Sequence, residues 1–155
     1  MAAITIRTAE RADIEVLAEF NIAMALETES KVLSPTVIKA GIGALMEDAE
    51  LGFYTVAMVH DEVAGALMIT KEWSDWRDGL FWWIQSVYVK PALRRAGVFA
   101  RLYKHTREQA MRTPNVCGLR LYVERENLRA QQTYLKMGME ETAYKLYEEE
   151  FPADR

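Results

Sequence analysis

Two short constellations in this chain carry residue types that could do chemistry. The first is Arg94, Arg95 and Gly97, set between an apolar run ending Val87-Tyr88-Val89 and a helical pattern beginning Val98-Phe99-Ala100. The opening turn of a helix has N–H groups with no intrahelical partner, and the helix dipole is positive at that end. A glycine at such a junction permits a close approach or a positive φ. The segment reads as an anion-binding turn, and a solvated turn that carries arginines has the same composition. The second constellation is Asn127, Ala130, Gln131 and Tyr134. Spacings of three and four place them on one helical face. A small residue between an amide and a phenol leaves room there for an elongated ligand.

These residues need strands and helices to hold them. Residues 4–7 alternate as a first strand, and Thr8 can cap a helix carrying Ile14, Leu17, Phe20, Asn21 and Met24 to about Glu27. Ser34-Pro35 opens a second helix with Val37, Ile38, Ile42, Leu45 and Met46. From Gly52 the period becomes two, and residues 53–59 and 63–70 form a hairpin. A tryptophan-bearing connection over residues 73–79 leads to a strand over residues 80–89. It places Trp83, Gln85, Val87 and Val89 on one face and Trp82, Ile84, Ser86 and Tyr88 on the other. A helix from about Arg95 to Arg112 turns Val98, Phe99, Leu102, Thr106 and Ala110 to the core. Residues 117–123 form a strand with Cys117 packed, Asn127 starts a last helix ending at Gly138, and residues 141–149 close as a strand. Strands before and after each helix favour a mixed α/β sheet.

A chain of 155 residues, 50% hydrophobic and 27% charged, is expected to form one domain over residues 1–155. No apolar run approaches the roughly 20 residues that span a bilayer, and the N-terminus has no basic-then-apolar leader, so a cytoplasmic protein away from membranes is expected. Cys117 is the single cysteine, which excludes an internal disulfide. With His60 and His105 alone beside it, no metal site is expected. A net charge of −4 argues against a general nucleic-acid binder and leaves cationic small molecules open.

Together the two constellations resemble the GNAT superfamily of N-acetyltransferases. The family's pyrophosphate turn is arginine or glutamine, two residues, glycine, one residue, then glycine or alanine. Arg94 and Gly97 match it, and Phe99 replaces the last small residue. The second motif is matched in full by Asn127, Ala130, Tyr134, Gly138 and Met139. The resemblance covers nearly the whole chain and implies a central mixed sheet of about six to seven strands flanked by about four helices. It also implies acetyl-CoA as co-substrate, lying in a splay between the strand ending at Val89 and the strand ending at Val123. Backbone groups of Val87, Tyr88 and Val89 would pair with the pantetheine arm. The amides of Arg95, Ala96, Gly97, Val98, Phe99 and Ala100 would hold the pyrophosphate, with charge from Arg94 or Arg95 and with the Phe99 side chain turned into the core.

Acetyl transfer to an amine needs a neutral amine, a stabilised oxyanion and a proton for the departing thiolate. The resemblance assigns that proton to Tyr134 and the oxyanion to the N–H of Val87 or Tyr88. Asn127 either bonds the cofactor arm or caps its helix. No glutamate stands on the strand before the turn, where Gln85 could hold a water or the substrate. Glu27 or Glu29 is expected to end a water chain or to bind the amine, and Glu72, Asp75 and Asp78 add an acidic rim. Trp73, Trp76, Trp82 and Trp83 read as core, pocket lip or a homodimer seam. The function expected is direct transfer of acetyl to a small cationic primary amine in a ternary complex. The alternative is a catalytically idle acyl-CoA sensor of the same fold.

Overall fold

The computed structural model describes residues 2–153, which divide into two compact units after Leu121. The first contains β1 (Ile4–Thr8), α1 (Ile14–Glu29), α2 (Pro35–Glu47), β2 (Gly52–Val59), β3 (Glu62–Ser74), β4 (Gly79–Val89), α3 (Val98–Arg112) and β5 (Val116–Arg120). Its sheet is mixed, in the order β1-β2-β3-β4-β5. The first three pairings are antiparallel and β4–β5 is parallel. α3 is the crossover that a parallel pair requires. The second unit contains α4 (Leu128–Lys136).

The two sides of the sheet carry different helices. α1 and α2 close a core of Leu17, Phe20, Ile42, Leu45, Tyr54, Val56, Ala66 and Tyr88. α3 lays the stripe Val98, Leu102, Thr106 and Ala110 against the sheet, each fully or almost fully buried. That stripe follows the period expected from sequence, with Phe99 half-buried beside Tyr103 at a ring separation of 6.3 Å. Ser34 caps α2 by accepting from the Val37 N–H, with Pro35 in the first turn.

α1 is entered differently from the sequence expectation. Thr8 is the last residue of β1, and α1 is entered through a short 3-10 turn over Arg11–Asp13 that Glu10 and Asp13 box in. The Asp13 carboxylate accepts from the Glu10 N–H at 2.7 Å and from Arg7 at 2.7 and 3.0 Å, and makes no cap bond to α1 itself. Hydrogen bonding to Arg7 holds the Asp13 carboxyl below the usual aspartate range. A lowered pKa means this stabilisation is complete above the unfolded carboxyl's pKa of about 4 and is lost as pH falls through the folded value. Asp13→Ala is expected to cost about 2 kcal/mol at pH 7 and to lose that difference in strong acid, which urea unfolding at both pH values measures.

Three further expectations are corrected. Among the described residues the sheet has five strands rather than six or seven, and residues 141–149 form none. Tyr144, Leu146 and Tyr147 are exposed, and Glu148, Glu149 and Glu150 break the alternation a half-buried strand needs. β5 stops at Arg120 and lies at the sheet edge, which leaves Cys117 exposed rather than packed. Among the described residues no helix is long and apolar enough to cross a membrane.

Candidate functional site: the end of strand β4 and the turn into helix α3

β4 carries one residue more than its partner. Tyr88 pairs with Ala66 and Gln85 with Met68, so Ser86 and Val87 stand opposite Leu67 alone. This is a β-bulge, and Ser86 sits in it at φ 49°. An extra residue flips the side-chain alternation beyond it. Tyr88 therefore joins the α1 face with Gln85, which corrects the face read from the sequence. Its ring lies 5.0 Å from that of Phe20.

The same slip sets the backbone. The Lys90 N–H donates to the Ala64 carbonyl at 2.9 Å, so by alternation the Tyr88 N–H faces β3 while those of Val87 and Val89 face away from it. On that far side β5 pairs with β4 from Leu80 to Trp83 and no further. From Ile84 to Val89 β5 makes no ladder pairing to the outer edge of β4.

The chain then turns through Pro91–Leu93 and reaches two left-handed residues, Arg95 at φ 67° and Gly97 at φ 86°. They postpone the helix to Val98, three residues later than expected, because left-handed residues cannot continue a right-handed turn. The first intrahelical bond runs from the Arg101 N–H to the Gly97 carbonyl at 3.1 Å. The amides of Val98, Phe99 and Ala100 precede it, and the cap residue, Gly97, has no side chain to accept from them. The Ala96 N–H is directed back to the Leu93 carbonyl and is not part of that set. A Cβ built on Gly97 meets nothing within 4 Å, so the space over the turn is open. Backbone donors, a positive dipole end and free volume together suit a diphosphate.

Arg94 and Glu27 are brought together. The guanidinium donates through Nε to the Val89 carbonyl at 2.8 Å and through an Nη atom to Glu27 Oε2 at 3.0 Å, and lies 5.1 Å from the Tyr88 ring centre. Tyr88 donates to the other Glu27 oxygen at 3.3 Å. Burial, followed by the Glu27 charge, pushes the Tyr88 phenol above its usual range. Glu29 is the exposed last residue of α1. The Gln85 amide donates to Thr70 Oγ1 at 2.5 Å. In the rim, Glu72 pairs with Arg120 at 2.6 Å. Trp82 is buried edge-on to Phe53, whereas Trp73 and Trp76 are exposed.

In the second unit, Asn127 caps α4 by accepting from the Ala130 N–H at 3.2 Å. The Gln131 amide donates to the carbonyls of Glu124 and Arg125, which fixes the loop leading into the helix. Partial burial raises the Tyr134 phenol above its usual range, so it stays protonated at neutral pH.

A family model for the Acetyltransferase (GNAT) family matches residues 18–139. The chain belongs to the GNAT acetyltransferase family. This GNAT chain is similar to a possible acetyltransferase from Clostridium difficile 630, with 44% identity over 96% of this chain and 98% of that one and a TM-score of 0.90. It shares its fold with a predicted acetyltransferase from Clostridium acetobutylicum solved with acetyl-CoA, at 15% identity, a TM-score of 0.78 and coverage of 95% and 96%. The same holds for AAC(6')-Iy bound to the bisubstrate analogue CoA-S-monomethyl-acetylneamine, at 14% identity, a TM-score of 0.77 and coverage of 97% and 100%. No curated protein matches the sequence significantly.

Two features of this candidate site escaped sequence reasoning. The Glu27–Arg94 pair joins residues 67 apart in sequence, and no local pattern reports such a contact. The bulge at Ser86 falls in an alternating run without glycine, the usual mark of a bulge. Asn21 offered a signal, a polar residue inside the apolar stripe of α1.

Proposed function

We propose that this GNAT domain transfers an acetyl group from acetyl-CoA directly to a small cationic primary amine. The observation that carries the proposal is the junction of β4 and α3, where the part of β4 that β5 does not pair with ends at a left-handed glycine turn and the first amides of a helix. Acetyl-CoA supplies an activated thioester. The amides of Val98, Phe99 and Ala100 hold its diphosphate, with Arg95 as the nearby charge and Arg94 shared with Glu27. The edge amides of Val87 and Val89 receive the pantetheine arm, and of the two oxyanion donors considered, Val87 is the one whose N–H faces outward. Preorganised donors of this kind act on charge that develops during the reaction, which is why they accelerate it.

Tyr134 delivers the proton to the departing sulfur, a role taken from the family's motif and supported by a phenol that stays protonated. Asn127 fixes the start of its helix. Glu27, oriented by Tyr88 and Arg94, binds the ammonium of the acceptor, and Glu29 stands one turn-end away as the carboxylate that ends a water chain. Gln85, engaged with Thr70, orders that part of β4 rather than taking a proton. A cytoplasmic location and a homodimer belong to the same reading, and sedimentation of the purified protein decides the second.

The test is thiol release from acetyl-CoA across a panel of amines. Release that depends on a primary amine, with one acetylated amine formed per thiol, is the expected result. Stabilisation by CoA with no release on any amine favours the acyl-CoA sensor instead.

A further inference from the structure

A buried polar group lies under the bulge and takes no part in the roles assigned so far. Asn21 on α1 and Tyr54 on β2 are 6% and 3% exposed. The Asn21 amide donates to the Leu17 carbonyl at 2.9 Å and to the Tyr54 hydroxyl at 3.2 Å. The Ser86 side chain bears on the same hydroxyl, opposing the upward push of burial on the Tyr54 phenol. Asn21, Tyr54 and Ser86 come from three different elements, α1, β2 and β4, and Tyr54 stands between the other two in this chain of polar groups.

Ser86 at φ 49° is a non-glycine residue in the left-handed region, a conformation that L side chains rarely adopt. Such a residue persists when its surroundings over-determine it. Here the surroundings are a phenol and an amide that cannot move freely: Tyr54 is locked in the core, and Asn21 is tied to its own helix. Burial raises the Tyr54 phenol, so the hydroxyl remains a neutral hydrogen-bonding group across the working pH range.

We propose that Asn21, Tyr54 and Ser86 are positioning residues for acetyl transfer, holding the bulge that turns the Val87 amide outward from the sheet. The inference rests on the reading of Val87 as the donor to the acyl oxygen. Its logic is the period of two: without the extra residue, Val87 would take the inward position that Tyr88 now holds, and Tyr88 would leave the α1 core. Hydrogen bonds remote from the reacting atoms thus decide which amide meets the substrate.

The test uses the full chain carrying Tyr54→Phe, Ser86→Ala or Ser86→Gly. The first readout needs no substrate: backbone amide resonances of residues 86–89, whose shifts in Tyr54→Phe and Ser86→Ala are expected to exceed those elsewhere on the sheet. The second is steady-state acetyl transfer. Tyr54→Phe and Ser86→Ala are expected to lower kcat about tenfold with KM for acetyl-CoA little changed, as for a misplaced donor. Ser86→Gly should recover most of that loss, since glycine takes positive φ without strain, and Tyr54→Phe added to Ser86→Gly should then cost little more. Equal rates for Ser86→Ala and Ser86→Gly, or resonances of residues 86–89 unmoved in Tyr54→Phe, overturn the proposal. If no amine is acetylated, the assigned function fails while the resonances still judge whether these residues hold the bulge.

Discussion

Tyr134→Phe is expected to lower kcat by about 10²-fold while leaving the KM for acetyl-CoA within about twofold, the signature of a lost general acid. A thiolate is a good leaving group only once it gains a proton, and a phenol that stays protonated at neutral pH is a competent donor. The change removes one oxygen from a half-buried residue, so the fold and the cofactor turn in the other unit are left alone. The sign of the pH effect follows from the raised phenol. In the wild type the proton is present throughout the neutral range and is lost only as pH rises through the Tyr134 value, giving an alkaline limb in kcat. That limb should vanish in the phenylalanine variant. Stopped-time thiol release from pH 6 to 11, with spontaneous thioester hydrolysis subtracted, measures both effects, and an unchanged kcat would remove Tyr134 from the chemistry.

Gly97→Asp is expected to weaken CoA binding by about 100-fold or more, since a carboxylate set beside a diphosphate at the positive end of α3 opposes it directly. The fold should tolerate the change. Nothing lies within 4 Å of the added Cβ, and aspartate accepts positive φ better than most residues and favours the position before a helix. Thermal melting should therefore move by no more than about 3 °C while titration calorimetry with CoA loses its signal. Gly97→Asn separates charge from shape. It adds nearly the same volume without the negative charge and should retain much of the affinity.

What the sequence discloses and what it hides divide along one physical line. Local patterns speak clearly where one residue's neighbours in sequence are also its neighbours in space. The stripe of Val98, Leu102, Thr106 and Ala110 announces α3, Ser34-Pro35 announces the start of α2, and Asn127 caps α4 from the position its type suggests. The turn at Gly97 is legible for the same reason: a glycine between a strand and a helix has few other uses. The site's finer geometry depends on contacts across the fold. Ser86 takes a left-handed conformation in a bulge of β4, and the polar groups proposed to hold it, Tyr54 and Asn21, stand 32 and 65 residues earlier in the chain. The face of Tyr88 inverts with that bulge, and Arg94 finds Glu27 at the far end of α1. Residues 141–149 mislead in the other direction, since partial alternation in Tyr144, Lys145 and Leu146 suggests a strand that a run of glutamates then contradicts.

The account stands on acetyl-CoA lying along the outer edge of β4 with its diphosphate on the first turn of α3. Titrating isotopically labelled protein with CoA and following each backbone amide tests this directly. The largest shifts are expected at Gly97, Val98, Phe99 and Ala100, with a second set at Val87 and Val89. Saturable shifts confined to other parts of the chain, or none at all, would contradict it.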